Sequence, residues 1–87
     1  LDYVRMARNL SVQELVVPAG WRGQTLRDLE VRAQFGVSVV GIHDTTNDEM
    51  IVPPDPDETL ERTDTLLLAG TDEALEAVAE LANATAN

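Results

Sequence analysis

The sequence predicts an α+β fold: a small β-α-β-β-β-α domain with one sheet and its helices on one face, preceded by a helical linker stub. Several short runs rich in β-branched or apolar residues are bounded by Gly and Pro, which is typical of strands. Two other segments carry apolar residues at helical spacing, each after a capping Thr. Three of the strands follow one another between these helices, which favours α+β over an alternating α/β fold.

Residues 1–10 are predicted to be the linker, because Leu1, Val4 and Arg8 have helical spacing. The chain starts at Leu1 rather than Met, in what reads as the end of a helix. We therefore expect a piece of a longer protein, in which residues 11–87 form the domain and an upstream domain precedes them.

The first strand and first helix have clear boundary signals. Residues 11–17 are a strand candidate that Pro18 closes, since proline cannot donate to a strand ladder. Thr25 is a helix cap with Asp28 three residues later, as in a capping box. Gly36 suits the left-handed residue that ends a helix, so a helix is predicted between Thr25 and Gly36.

A hairpin is predicted next. Residues 37–42 are rich in β-branched side chains, residues 45–48 have turn chemistry, and residues 49–52 return as the second strand. Pro53 and Pro54 end that strand, and an acidic connector follows.

The last two elements are a strand over residues 65–69 and a helix that begins after Thr71. Apolar residues occur on both faces of the 37–42 strand, whereas the helices cover only one face of the sheet. We therefore expect a homodimer in which a second copy covers the open face.

Charge restricts the partners. The chain has sixteen acidic residues against six arginines and no lysine, for a net charge of −10. Such a surface repels phosphate backbones and anionic lipid, so nucleic-acid binding is not expected. It is typical of a well-solvated surface or of adaptation to high salt. No apolar run is long enough to span a membrane, and the lack of Cys fits a cytoplasmic location.

No enzyme is expected, because no nucleophile, histidine and acid fall into a recognisable catalytic pattern. A lone His43 beside Asp44 is a poor metal site and is predicted to be an exposed residue at a strand end. The connector acids Asp55, Asp57 and Glu58 match no calcium-loop spacing and are predicted to form a turn. Neither a metal nor a cofactor is expected.

Two stretches together resemble a known family: "GQTLRDLEVRAQFGVSVVGI", then, after a hairpin, "IVPPDPDETLERTDTLLLAG". They resemble the C-terminal domain of regulator-of-potassium-conductance proteins, called TrkA-C or RCK_C, over residues 11–82. The specific features are Gly-x-x-Leu-x-x-Leu-x-x-Arg over residues 23–32, Phe-Gly-Val-x-Val over residues 35–39, and the proline of the connector. Thr63 stands where the family usually has Gly.

The resemblance implies a dimeric cytoplasmic regulator of a potassium channel or transporter, linked to an upstream nucleotide-binding domain. Some bacterial members bind cyclic di-AMP across the dimer axis. At matching positions Arg32 would contact phosphate, Val37 and Ser38 would supply backbone and polar contacts, and Leu26 and Pro54 would support the adenine. Ser38 replaces an expected Asn. An alternative for Arg32 is a surface ion pair with Glu30 or Asp28.

Two other functions stay open. One alternative is a purely structural dimerisation module. The other is the regulatory tail of a cation-proton or anion antiporter. A dinucleotide-binding fingerprint upstream in the parent protein would indicate a potassium subunit, whereas membrane spans there would indicate an antiporter.

Overall fold

The computed structural model describes residues 3–85, with side chains described through residue 82. The elements are β1 (Tyr3–Ala7), β2 (Leu10–Val16), a 3-10 turn (Ala19–Trp21), α1 (Leu26–Leu29), α2 (Val31–Phe35), β3 (Ser38–Asp44), β4 (Glu49–Ile51), β5 (Asp64–Gly70) and α3 (Asp72–Thr85).

One five-stranded antiparallel sheet forms the fold, with strand order β1-β2-β5-β3-β4. β5 lies in the middle and pairs with β2 on one side and β3 on the other. The predicted α+β class is confirmed. Since both edges of β5 are paired, its apolar run is the centre of the molecule.

The predicted helical stub is wrong, because residues 3–7 form the strand β1. Tyr3 lies opposite Gln13, and Val4 lies opposite Val12. The spacing of Val4 and Arg8 fits a helix, but the segment gains ladder hydrogen bonds by pairing with β2, although the register shifts between Arg5 and Ala7. Leu1, the third residue behind that prediction, lies outside the described residues.

The predicted helix boundaries are confirmed, although the helix is broken in the middle. The Thr25 hydroxyl accepts a hydrogen bond from the Asp28 N–H at 3.1 Å, and Gly36 ends α2 with φ 71°. Glu30 separates α1 from α2 in the left-handed region, with φ 48° and ψ 51°. A non-glycine residue rarely adopts this conformation, and the local sequence gives no signal for it.

The hydrophobic core lies between the sheet and the helices. Leu66 and Leu68 of β5 are fully buried, and α3 contributes Leu75 and Val78 to the same cluster. The predicted cap of α3 is present, since the Thr71 hydroxyl accepts from the Ala74 N–H at 3.1 Å. Burial of these side chains holds the helices on one face of the sheet.

The opposite face of the sheet is open. Val16 on β2 and Met50 on β4 are 56% and 47% exposed. Between them, the Glu14 carboxylate accepts a hydrogen bond from Thr65 Oγ1 at 2.8 Å and lies 3.3 Å from His43 Nδ1. His43 was predicted to be exposed, but its side chain is only 28% exposed and is paired with acids.

The acidic connector between β4 and β5 is anchored. Leu60 is 1% exposed in the core. Its N–H donates to Gln24 O at 2.8 Å, and its carbonyl accepts from the Gly23 N–H at 2.9 Å. These bonds fix the connector against the segment that leads into α1. Within residues 3–85, no helix is both long and apolar enough to cross a membrane.

Candidate functional site

A solvent-open groove of about 340 Å³ lies where α1, α2, the start of β3 and the connector meet. Its lining consists of apolar side chains, one serine and two arginines: Leu26, Arg27, Val31, Arg32, Val37, Ser38, Val39, Pro54 and Pro56. Small-molecule sites typically measure about 300–1,000 Å³, so the groove of a single chain is at the small end of that range.

All five residues predicted for the ligand site line this groove: Leu26, Arg32, Val37, Ser38 and Pro54. Residues 26–38 supply four of them and the distant connector supplies Pro54, which the fold brings to the others because the connector runs back beside α1. Their individual roles stay predictions.

Four lining residues were missed: Arg27, Val31, Val39 and Pro56. Arg27 follows the predicted Leu26, and Pro56 follows the predicted Pro54, so proximity in sequence was an available signal. The signal for Val31 was weaker, since its position depends on the break in the helix at Glu30.

Arg27 is fixed to the connector through both its backbone and its side chain. Its N–H donates to Pro56 O at 3.0 Å. Its Nε and Nη2 donate to Asp57 Oδ1 and Oδ2 at 2.6 and 3.1 Å, a forked pairing that suits the planar guanidinium. The Arg27 hydrogen bond lowers the pKa of the Asp57 carboxyl, so this acid stays ionised in the pair.

Arg32 is the second arginine of the groove and is solvent-exposed. The alternative prediction, a surface pair with Glu30 or Asp28, does not occur: among the described residues, Arg32 has no ion-pair partner. Its guanidinium is therefore available to an external anion.

The acidic turn of the connector is a structural element, as the sequence predicted. Asp55 Oδ1 accepts the N–H of Asp57 at 2.9 Å, closing the turn. In the part of the chain with described side chains, no three potential metal-ligating groups come together. The turn places Asp57 opposite Arg27.

A second cavity of about 280 Å³ lies on the other side of the connector. Asp44, Glu58, Glu61 and Asp64 contribute four carboxylates to its lining. An anion would be repelled there, whereas the groove offers the exposed Arg32, for which no ion pair is found among the described residues, and apolar walls. The groove is therefore the better candidate for an anionic organic ligand.

The groove opens beside an unpaired strand edge. β4 pairs with β3 only from Ile42 to Asp44, so within residues 3–85 no strand flanks the outer side of residues 38–40. Free backbone groups on such an edge can pair with another chain or with a ligand.

Comparisons with known proteins agree with this architecture. The family model of the TrkA-C domain matches residues 12–83. The chain is 34% identical over 70 residues to the Ktr system potassium uptake protein C of Bacillus subtilis (strain 168), covering 80% of this chain and 31% of that protein. It therefore spans about a third of the length of this curated relative.

Solved structures show the same fold. One is the RCK C domain of the potassium transport protein KtrA in complex with cyclic diadenosine monophosphate (c-di-AMP), with a TM-score of 0.73, 32% identity and 79% of each chain covered. Another is an RCK_C domain dimer of S. agalactiae BusR in complex with c-di-AMP, with a TM-score of 0.72, 22% identity, and 86% of this chain and 93% of that chain covered. At this identity the second shows the fold alone. The matched range, the sheet order and these structures agree: the chain belongs to the TrkA-C (RCK_C) domain family.

Proposed function

We propose that this chain is a regulatory domain of a potassium-transport protein and that two copies bind one c-di-AMP between their grooves. The observation that carries the proposal is the convergence of Leu26, Arg32, Val37, Ser38 and Pro54 on one groove. The KtrA domain, 32% identical to this chain, was solved with c-di-AMP.

Each residue has a role that suits its chemistry. The unpaired Arg32 guanidinium presents a fork that matches two phosphate oxygens. Ser38 offers a hydroxyl next to the backbone of Val37, at the free edge of β3. Leu26 and Pro54 give the two sides of the groove an apolar surface against which an adenine can pack.

Symmetry accounts for the small size of the groove. c-di-AMP has two equivalent halves, and a two-fold axis beside the groove lets each protomer hold one half. This axis would also bring the unpaired edges at residues 38–40 of both β3 strands together. A dimer formed through the grooves differs from one formed through the open sheet face in its response to ligand. Only the groove dimer should dissociate less readily when c-di-AMP is added.

The wider role belongs to the same proposal, and kinship with a potassium uptake protein supports it. The domain is cytoplasmic and non-catalytic, and it is attached to an upstream nucleotide-binding domain that contacts a membrane potassium-transport subunit. Ligand binding alters the subunit only if c-di-AMP prefers one arrangement of the two protomers over another.

Isothermal titration calorimetry with c-di-AMP tests the ligand, with one molecule expected per two chains. Arg32→Ala removes the phosphate contact and should weaken binding by roughly tenfold or more, as expected for a charge-assisted hydrogen bond. Arg62→Ala is the matched control, because it removes the same charge from an exposed position outside the groove.

Light scattering tests the assembly. A dimer whose stability increases with c-di-AMP supports the proposal. A stable dimer with no heat of binding would leave the purely structural dimerisation module as the function. Binding that Arg32→Ala and Arg62→Ala weaken equally would mean that the groove is not the site.

A further inference from the structure

The groove has two arginines, but only one of them carries an uncompensated charge. Arg27 and Asp57 form a forked ion pair, with distances of 2.6 and 3.1 Å. Arg32 has no such partner among the residues with described side chains. Each protomer therefore presents the equivalent of one positive charge to a bound anion.

The surroundings increase the importance of this single charge. The chain has a net charge of −10, and Asp55, Asp57 and Glu58 follow the proline wall of the groove directly. An anion with several charges on one phosphate group would meet strong repulsion here with little compensation.

We propose that Asp57 determines ligand specificity by holding Arg27 away from the ligand, so that the groove accepts phosphodiesters and rejects terminal phosphates. This inference rests on the proposed function of the same groove. A phosphodiester carries one negative charge, which Arg32 matches, whereas a terminal phosphate carries about −1.5 to −2 at neutral pH. A cyclic dinucleotide has only diesters, but its linear hydrolysis product has one terminal phosphate.

The two ligands provide a matched comparison, because c-di-AMP and linear 5′-pApA have the same bases and differ in one phosphate ester bond. Wild-type protein should bind c-di-AMP more tightly than pApA. Asp57→Asn removes the negative charge that neutralises Arg27, and calorimetry should show that pApA affinity rises by roughly fivefold or more while c-di-AMP affinity rises less. The Asp57 side chain is 65% exposed, so the fold should tolerate the change.

Two controls separate the release of Arg27 from a general change in charge. Glu58→Gln removes the same charge one residue away, where no hydrogen bond or ion pair to Arg27 is made. Arg27→Gln combined with Asp57→Asn removes the pair without altering net charge. Glu58→Gln and the double variant should both keep the wild-type preference for c-di-AMP over pApA. The affinity of the double variant for c-di-AMP should stay within about twofold of the wild-type value, because Arg27 is not a ligand contact in the wild type.

The inference is overturned if Asp57→Asn leaves the ratio of the two affinities unchanged, if Glu58→Gln changes that ratio as much, or if the double variant retains the gain for pApA. A large loss of c-di-AMP binding in the double variant would also overturn it, since Arg27 would then contact ligand directly. Failure of the wild type to bind c-di-AMP rejects the proposed function instead, and the response of pApA to the same variants still decides this inference.

Discussion

The hydroxyl of Tyr3 donates a hydrogen bond to the carboxylate of Asp72 at 2.5 Å and so joins the first strand to the first turn of the last helix. The hydroxyl of Ser11, which is 1% exposed, donates to the same oxygen at 2.7 Å. This cluster fixes one end of α3 against β1 and β2. It also gives β1 a tertiary contact besides its ladder with β2.

Tyr3→Phe should destabilise the domain, because it removes one of these hydrogen bonds while keeping the ring. We expect the midpoint of thermal unfolding to fall by roughly 2–5 °C for a domain of this size. Circular dichroism measures the shift, and Met6→Leu, on the same strand and 61% exposed, is the control. An unchanged midpoint in Tyr3→Phe would show that the contact does not contribute to stability.

The same variant should change the response to acid. The hydrogen bonds from Tyr3 and Ser11 lower the pKa of Asp72 below its ordinary value of 3.8. A carboxyl with a lowered pKa in the folded state adds stability above its ordinary pKa, and this stability is lost as the pH falls through the folded pKa. The difference between wild type and Tyr3→Phe should therefore shrink in strong acid, and a constant difference would contradict this account.

His43 should make stability depend on pH near neutrality. Its hydrogen bond to Asp48, together with the nearby Glu14, raises its pKa above 6.5. A histidine with a raised pKa adds stability below its ordinary pKa, and this stability is lost as the pH rises through the folded pKa. Urea unfolding at about pH 6 and about pH 8 should show wild type losing more stability than His43→Gln over this interval.

No other histidine in the sequence titrates in this interval. Glu49→Gln, which removes an exposed acid that is not one of the partners of His43, is a suitable second control. Equal pH dependence in wild type and His43→Gln would mean that the ion pairs of His43 do not stabilise the fold.

The sequence predicts those features that depend on neighbouring residues. Thr25, Thr71 and Gly36 were identified because caps and left-handed stops follow local rules. The strand β1 was missed, since its hydrogen bonds depend on a partner and not on its own spacing. The left-handed Glu30 was also missed, because nothing in its neighbours requires that conformation.

The candidate site was predicted from a family resemblance and not from local sequence rules. Leu26, Arg32 and Pro54 were chosen through resemblance to a family, and spacing alone would not have placed them together. Their convergence depends on the hydrogen bonds that hold the connector beside α1, such as Leu60 N–H to Gln24 O. The pairing of Arg27 with Asp57 is equally nonlocal, so only the fold shows which arginine is available to a ligand.

Salt should stabilise this domain. A net charge of −10 on 87 residues produces self-repulsion in the folded state, and added ions screen it. We expect the thermal midpoint to rise between about 0.05 M and about 1 M KCl, although the exposed ion pairs weaken over the same range. A midpoint that stays constant or falls would show that repulsion does not limit stability.

Gly41 on β3 should be necessary for both stability and the groove. An added Cβ would lie 2.7 Å from Val52 Cγ2 and 2.9 Å from the carbonyl oxygen of Ile51, so the chain after β4 would have to move. Because that chain continues into the Pro54 wall, Gly41→Ala should cost about 1–3 kcal/mol in unfolding free energy and also weaken ligand binding. Gly20→Ala is the matched control, since its added Cβ meets no atom within 4 Å. Urea unfolding and calorimetry measure the two effects. If Gly41→Ala is as stable as Gly20→Ala, the close approach of β4 does not constrain this position.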